Sequence, residues 1–401
     1  MSLDCKDYKD NIKCPKKRQF IKKTVKSPVL KVLMVGCWGV YCWDGSVKIR
    51  AYNAKKGIIE DEDPEIYGGK SVANGMIKYT QRNNIQAIFL AGDNVYTFNQ
   101  PKELLIQEVK AGRSPSKKDY KGNHLLSGQN IEAQINEGFV KCLDKAQVKD
   151  FYIAIGNHDI QNCYDLNYQL NFSKNYPIHR YRLPAVYYNV IYKMEGYKVN
   201  FIVIDTNMYE ERPTTCSGSE YTPKMINDQN KWVIKVLRRE KCRWNIIVGH
   251  IPYKANHHKK KKGPVIKNNG LDVLFNTISR CVDCPKVQVY MCADEHNQQF
   301  LYDPMHKMGL VVAGSGGTAL DLKIVRGPYW DASSDEGVRT FYYRPYFGFT
   351  QFKFLPNVLT VTYIVTDVKN RITGMARPIP AAQFTFDTQG NLIAEHENID
   401  V

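Results

Sequence analysis

The chain has no apolar run near the roughly eighteen residues that cross a bilayer as a helix, so a helical membrane span is not expected. Its first residues, Met1-Ser2-Leu3-Asp4-Cys5-Lys6, lack the apolar stretch of a secretory leader. Asp4, Asp7 and Asp10 interrupt the lysines that a mitochondrial presequence would need. With this start taken as native, the expected location is intracellular, cytoplasmic or cytoskeleton-associated, and secretion requires that position 1 be a processed end. Acidic residues are scarce: 40 Asp and Glu stand against 56 Lys and Arg, a net charge of +16. That imbalance predicts an acidic protein surface or a larger assembly as partner. Nucleic acid is unsupported, because no recognition module accompanies the charge and aromatics are not interleaved with it. No second C-x-x-C accompanies Cys281-x-x-Cys284, which leaves that pair as a zinc knuckle, a redox pair or two turn residues. The odd count of 11 cysteines without a leader predicts mostly reduced thiols. No internal repeat at a solenoid period is present.

What is there suffices for a full core: 401 residues, 43% of them hydrophobic. Residues 1–28, carrying Lys16-Lys17-Arg18 and Lys22-Lys23, read as a basic tail, disordered or ordered on a partner. Residues 29–375 read as the main domain, with polar insertions near 40–68 and 102–126. The stretch 164–182 reads as a long irregular excursion, and 253–258 as a loop leading to the block Lys259-Lys260-Lys261-Lys262. Residues 376–401 are proline-spaced, then acidic, and read as a peripheral C-terminal arm.

Within the domain, helical periodicity appears over 71–81, 131–146, 228–240 and 271–279. Strand-like runs appear over 30–35, 86–91, 151–155, 187–192, 199–204, 244–247 and 287–291, then over 310–313, 348–354 and 359–365. Alternating strands and helices followed by strands predict an α/β fold: a four-layer αββα sandwich of two facing mixed sheets with helices outside.

Several strands end alike, in an apolar run followed by a turn that carries metal-seeking side chains. Gly36-Cys37-Trp38-Gly39 follows the first strand, Gly92-Asp93-Asn94-Val95-Tyr96 the second, and Gly156-Asn157-His158-Asp159 the third. Val248-Gly249-His250 and Ala293-Asp294-Glu295-His296 end two later strands. Carboxyl ends of strands are where such sheets build their sites. A metal pair needs a bridging carboxylate, for which Asp93 is the natural candidate, with imidazole and oxygen ligands around it. Tyr96 offers a phenolate suited to trivalent iron, Asn157 a neutral amide oxygen, and His158 a proton for a leaving group.

These motifs, in this order, resemble the purple acid phosphatase branch of the metallophosphoesterase superfamily, whose pattern is Gly-Asp-Trp-Gly, Gly-Asp-Asn-x-Tyr, Gly-Asn-His-Asp, Val-x-Gly-His and Gly-His-x-His. The resemblance runs from about Leu30 to about Ile372. It implies one metal held by Asp93, Tyr96, His296 and position 37, and another held by Asp93, Asn157, His250 and position 294. It also implies one or two ions of iron, zinc or manganese, or none, with His158 as proton donor. His257 or His258 would match a substrate-positioning histidine, at a spacing one residue off. Two ligand positions depart from the pattern: Cys37 stands where the family has Asp, and Asp294 where it has His. Thiolate suits zinc better than a hard ion. A carboxylate in place of imidazole adds negative charge where a phosphate must approach.

The reading that follows is a degenerate purple acid phosphatase-like protein, weak or inactive as a hydrolase, serving as a structural or binding subunit. The alternatives are an active metal-dependent phosphomonoesterase with an altered metal pair, acting on a phosphate ester, and a sensor that binds a phosphoryl group without cleaving it.

Overall fold

The computed structural model describes residues 20–39, 50–53, 58–61, 68–94, 140, 143–146, 148, 150–160, 163–175, 180–209, 221–256, 265–267, 269–318, 320, 337–366 and 378–397. In chain order, β1 (Phe20–Thr24) and β2 (Leu30–Val35) precede a hairpin of β3 (Arg50–Asn53) and β4 (Ile58–Asp61). Helix α1 (Gly69–Arg82) leads to β5 (Ala87–Ala91), and β6 (Asp150–Ala154) is followed by α2 (Cys163–Asn175) and β7 (Tyr181–Arg182). Then come β8 (Tyr188–Lys193), β9 (Lys198–Val203), α3 (Pro223–Glu240), β10 (Trp244–Val248), β11 (Lys254–Asn256), β12 (Val265–Lys267) and α4 (Asn269–Arg280). The remainder is all strand: β13 (Val289–Cys292), β14 (Gln298–Asp303), β15 (Met308–Ala313), β16 (Arg339–Arg344), β17 (Gly348–Phe354), β18 (Leu359–Val365), β19 (Ile379–Phe386) and β20 (Leu392–Glu397).

Two eight-stranded mixed sheets result, ordered β1-β8-β9-β10-β13-β15-β14-β16 and β20-β19-β18-β17-β2-β5-β6-β7. Side chains alternate across a strand, and the register shows which face meets what. In the parallel pair β9 and β10, Val199, Phe201 and Val203 lie beside Trp244, Ile246 and Val248, and all six belong to the core between the sheets. Phe201 meets Phe89 and Phe354 of the second sheet at ring-centroid distances of 4.4 and 5.5 Å. The opposite face buries Ile202 and Ile247 with Val233 and Leu237 of α3 and Leu274 and Phe275 of α4. On the far side, Tyr79 of α1 packs edge-on against Phe349 and donates to Gln351 at 2.8 Å, on the face of β17 opposite Phe354. The layers are therefore helix, sheet, sheet, helix, as the α/β patterning predicts. Among the described residues no helix is long and apolar enough to cross a membrane.

The helices start and stop for local reasons. Thr222 caps α3 by accepting from the Met225 amide at 3.3 Å with Pro223 in the first turn, and Lys241 ends it in the left-handed conformation. Asn83 closes α1, its side-chain amide and its backbone N–H both donating to the Tyr79 carbonyl.

Several stretches differ from the sequence expectation. Phe20–Thr24, expected in the tail, is an edge strand parallel to β8. Its lysines are used locally: Lys23 pairs with Asp150 at 2.8 Å, and Lys22 and Arg239 lie over the Phe20 ring. The expected irregular excursion contains α2 instead. Its buried positions Leu166, Gln169 and Phe172 recur every three residues, and the polar Gln169 in the middle conceals the stripe. The expected C-terminal arm supplies β19 and β20. Phe384 stacks on Phe300 at 3.8 Å, and Pro380 sits at the register shift between β18 and β19, where a missing amide is tolerated. Lys254–Asn256 is half of a small hairpin with β12. Cys281 and Cys284 are joined as a disulfide, which fits the redox-pair reading of that pair and not the zinc knuckle, while Cys37, Cys242 and Cys292 are buried thiols. The 102–126 insertion and most of the 131–146 helix fall outside the described residues.

Candidate metal centre

The parallel strands β2, β5 and β6 of one sheet and β9, β10 and β13 of the other bring their carboxyl ends to one region. The turns there are tight. Three non-glycine residues with positive φ are Cys37 (54°), Asp93 (52°) and Asp294 (63°), one on each of three strand-end turns. A left-handed backbone costs a non-glycine residue about 1–2 kcal/mol, so surrounding contacts must hold it. Cys37 donates its amide to the Gly92 carbonyl at 3.0 Å, and Gly39 donates to the Asp93 carbonyl at 3.0 Å, tying the first two turns together. Gly92 has φ 86°, and a Cβ there would overlap the His250 ring. A Cβ at Gly156 would overlap the amide and carboxylate of Asp93. These two positions require glycine because the backbones approach so closely.

Asp93 is buried at the centre. Its Oδ1 accepts from the His158 amide at 3.1 Å and lies 3.2 Å from His250 Nε2. The same Nε2 lies 3.1 Å from Asn157 Oδ1 and 3.6 Å from Asp294 Oδ1. The other ring nitrogen, Nδ1, is 2.7 Å from the Ala91 carbonyl, which can only accept, so Nδ1 carries hydrogen. Nε2 is thus the point where a proton or a metal ion meets three oxygens at once. Burial disfavours the His250 cation, but the carboxylates of Asp93 and Asp294 outweigh it and hold the pKa well above the ordinary histidine value. For His158, burial wins over Asp93, and its pKa is lowered.

A second convergence lies beside this one. Among the described residues, Cys37, Asp93 and His296 bring a sulfur, a carboxylate oxygen and an imidazole nitrogen within 4.8 Å of one another. Two donor sets therefore share Asp93, as a bridged pair of ions would need. The donor chemistry fits metal: Cys37, Asp93 and His296 could hold one ion, and Asp93, Asn157, His250 and Asp294 another. Bound there, the ions would supply a Lewis acid and an activated water. Tyr96, His257 and His258, also expected at the site, lie outside the described residues.

Behind the donors stands a layer that the motif reading did not assign. Asp159 is buried and accepts from the Asn94 amide (2.9 Å), Asn94 Nδ2 (2.9 Å), the Gly156 amide (2.7 Å) and Gln169 Nε2 (3.1 Å), welding the Asp93 turn to the Asn157 turn. Burial and the negative charge of Asp93 push its pKa up to about 7 against the pull of these bonds. On the other sheet, Thr206 Oγ1 accepts from the amides of His250 (3.2 Å) and Ile251 (3.0 Å), and Tyr290 donates to the Ile251 carbonyl at 2.5 Å. The signal for Thr206 was present in Val203-Ile204-Asp205-Thr206, another apolar run ending in polar residues, without a glycine to mark the turn. Replacing Thr206 by Val keeps the shape and strands two buried amides. The expected cost is about 2 kcal/mol in urea unfolding, with weaker metal binding at His250. An unchanged midpoint would show that Thr206 does not hold this turn.

Comparison with known proteins agrees with this fold. Mouse (Mus musculus) tartrate-resistant acid phosphatase type 5 is 25% identical over 235 residues, covering 55% of this chain and 64% of the enzyme, so this chain matches somewhat less than two thirds of that curated relative. The structure of PhoD superposes with a TM-score of 0.55 at 14% identity, over 92% of this chain and 72% of that one. The purple acid phosphatase PPD1 from yellow lupin (Lupinus luteus) seeds superposes with a TM-score of 0.54 at 15% identity, over 90% of this chain and 54% of that one. The profile of the calcineurin-like phosphoesterase family matches residues 30–298. A chain with this sandwich, these strand-end turns and that match belongs to the calcineurin-like phosphoesterase family.

Proposed function

We propose that this chain is a purple acid phosphatase-like protein that keeps a metal-holding centre, hydrolyses phosphate esters weakly or not at all, and works as a binding or structural subunit. The observation that carries this reading is the placement of the two departures from the family pattern. Cys37 and Asp294 both retain the left-handed strand-end backbone, and their side chains meet the donor sets on either side of Asp93. On this reading each half of the pair has exchanged one ligand and kept its framework. Sulfur replaces a hard oxygen in one half, which softens it. In the other, a carboxylate replaces imidazole, leaving Asp93 and Asp294 both facing His250 where an anionic phosphoryl group must enter. The net charge of +16 supports an acidic surface as the partner.

The test is a metal analysis and a hydrolysis assay on the same purified full chain. The expectation is bound metal together with an aryl phosphate turnover at least ~1000-fold below the ordinary enzymatic value of about 10 per second. Ordinary turnover, abolished by Asp93→Asn, would overturn the proposal. A second reading, an active phosphomonoesterase with an altered metal pair, draws on the intact convergence at Asp93 and on His158 beside it. It requires that same ordinary turnover, with His158 protonating the leaving group.

A further inference from the structure

Cys37 does not sit as a small apolar filler would. Its φ of 54° is unfavourable for any residue with a Cβ. The backbone is held there from both sides: the amide donates to Gly92, and the carbonyl accepts from the Thr318 amide at 3.2 Å and from Thr318 Oγ1 at 3.0 Å. The side chain is fully buried, and its sulfur faces the carboxylate of Asp93 and the imidazole of His296. A filler thiol gains nothing from such company, whereas thiolate, carboxylate and imidazole converging from three separate turns form a donor set for a borderline-soft divalent ion. The neighbouring set of Asp93, Asn157, His250 and Asp294 offers only nitrogen and oxygen. The two halves thus differ in softness, and the difference comes from one residue.

We propose that Cys37 ligates as a thiolate and makes the Cys37, Asp93 and His296 half of the centre select a zinc-class divalent cation in place of ferric iron. This rests on the reading above that the centre still holds metal. On binding, the thiol proton leaves to solvent and the sulfur lone pair forms the new bond, so no oxidant or reductant is required.

Cobalt(II), a spectroscopic stand-in for zinc, tests this on the full-length chain after chelator treatment. The expected result is a sulfur-to-cobalt charge-transfer band in the near ultraviolet as the ion binds. In Cys37→Ser that band disappears and cobalt affinity falls at least ~100-fold, since even partners behind a ligand are worth 10–100-fold. Cys37→Asp binds cobalt without the band, which separates loss of sulfur from loss of fold. Cobalt bound without a sulfur band, or a band that persists in Cys37→Ser, overturns the thiolate proposal and leaves metal retention standing. Failure to bind cobalt or zinc at all overturns both, and the phosphatase assay judges the hydrolysis reading separately.

Discussion

Aryl phosphate hydrolysis is expected to rise at least ~100-fold, about 2.7 kcal/mol of barrier, when Cys37→Asp and Asp294→His are introduced together. The backbone is already suited to both changes. Positions 37 and 294 lie at φ 54° and 63°, and Asp and His are among the side chains that best tolerate this region. Cys37→Asp returns a hard oxygen to one half of the centre, and Asp294→His removes one of the two carboxylates that face His250. Each single variant repairs only one half. An in-line displacement clamped by two ions needs both, so the gain should appear mainly in the double variant and exceed the sum of the singles. Initial rates with added zinc, manganese or iron measure it, and Asp93→Asn in the same background should abolish it. A double variant that binds metal and is no faster than the unaltered chain would place the block elsewhere, in access to the cleft.

The residues that make this experiment possible were legible in the sequence because buried parallel strands announce themselves as continuous apolar runs, and Asp93, Asn157, His250 and Asp294 follow such runs directly. What the sequence concealed has specific physical causes. The helix Cys163–Asn175 was hidden because Gln169, at the centre of its buried stripe, is polar, and its partners Asp159 and Tyr181 are recognisable only once the chain is folded. β1 was hidden by its lysines Lys22 and Lys23, whose counter-charges Glu240 and Asp150 are far away in sequence. β19 was hidden by Pro380, which is harmless only because it falls at an irregularity in the ladder. In each case a long-range contact overrode a local composition. The ligand turns escaped this because glycine and a continuous apolar run are local signals, while Thr206 and Gln169, which hold those turns, act across the fold.

That dependence is sharpest at Asp159, where the isosteric change Asp159→Asn is expected to cost about 3 kcal/mol. All four of its partners donate. The Asn94 amide and Gln169 Nε2 meet one carboxylate oxygen, and Asn94 Nδ2 and the Gly156 amide meet the other. An asparagine must turn its own NH2 toward one of these pairs, leaving two buried donors facing a third. Neither neighbour can flip to compensate. Asn94 Nδ2 also donates to the Ala154 carbonyl at 2.9 Å, and Gln169 Oε1 also accepts from Tyr181 at 2.7 Å, so reversing either amide breaks a second bond. The lost bonds are those joining the turn of Asp93 to the turn of Asn157. Metal affinity should therefore fall along with the urea midpoint, with the slope of the unfolding transition unchanged. A cost below about 1 kcal/mol would mean that the two turns are held by backbone contacts alone, such as the close packing of Gly156 on Asp93. The larger cost would make Asp159 the residue through which the second sheet keeps its two donor turns in register.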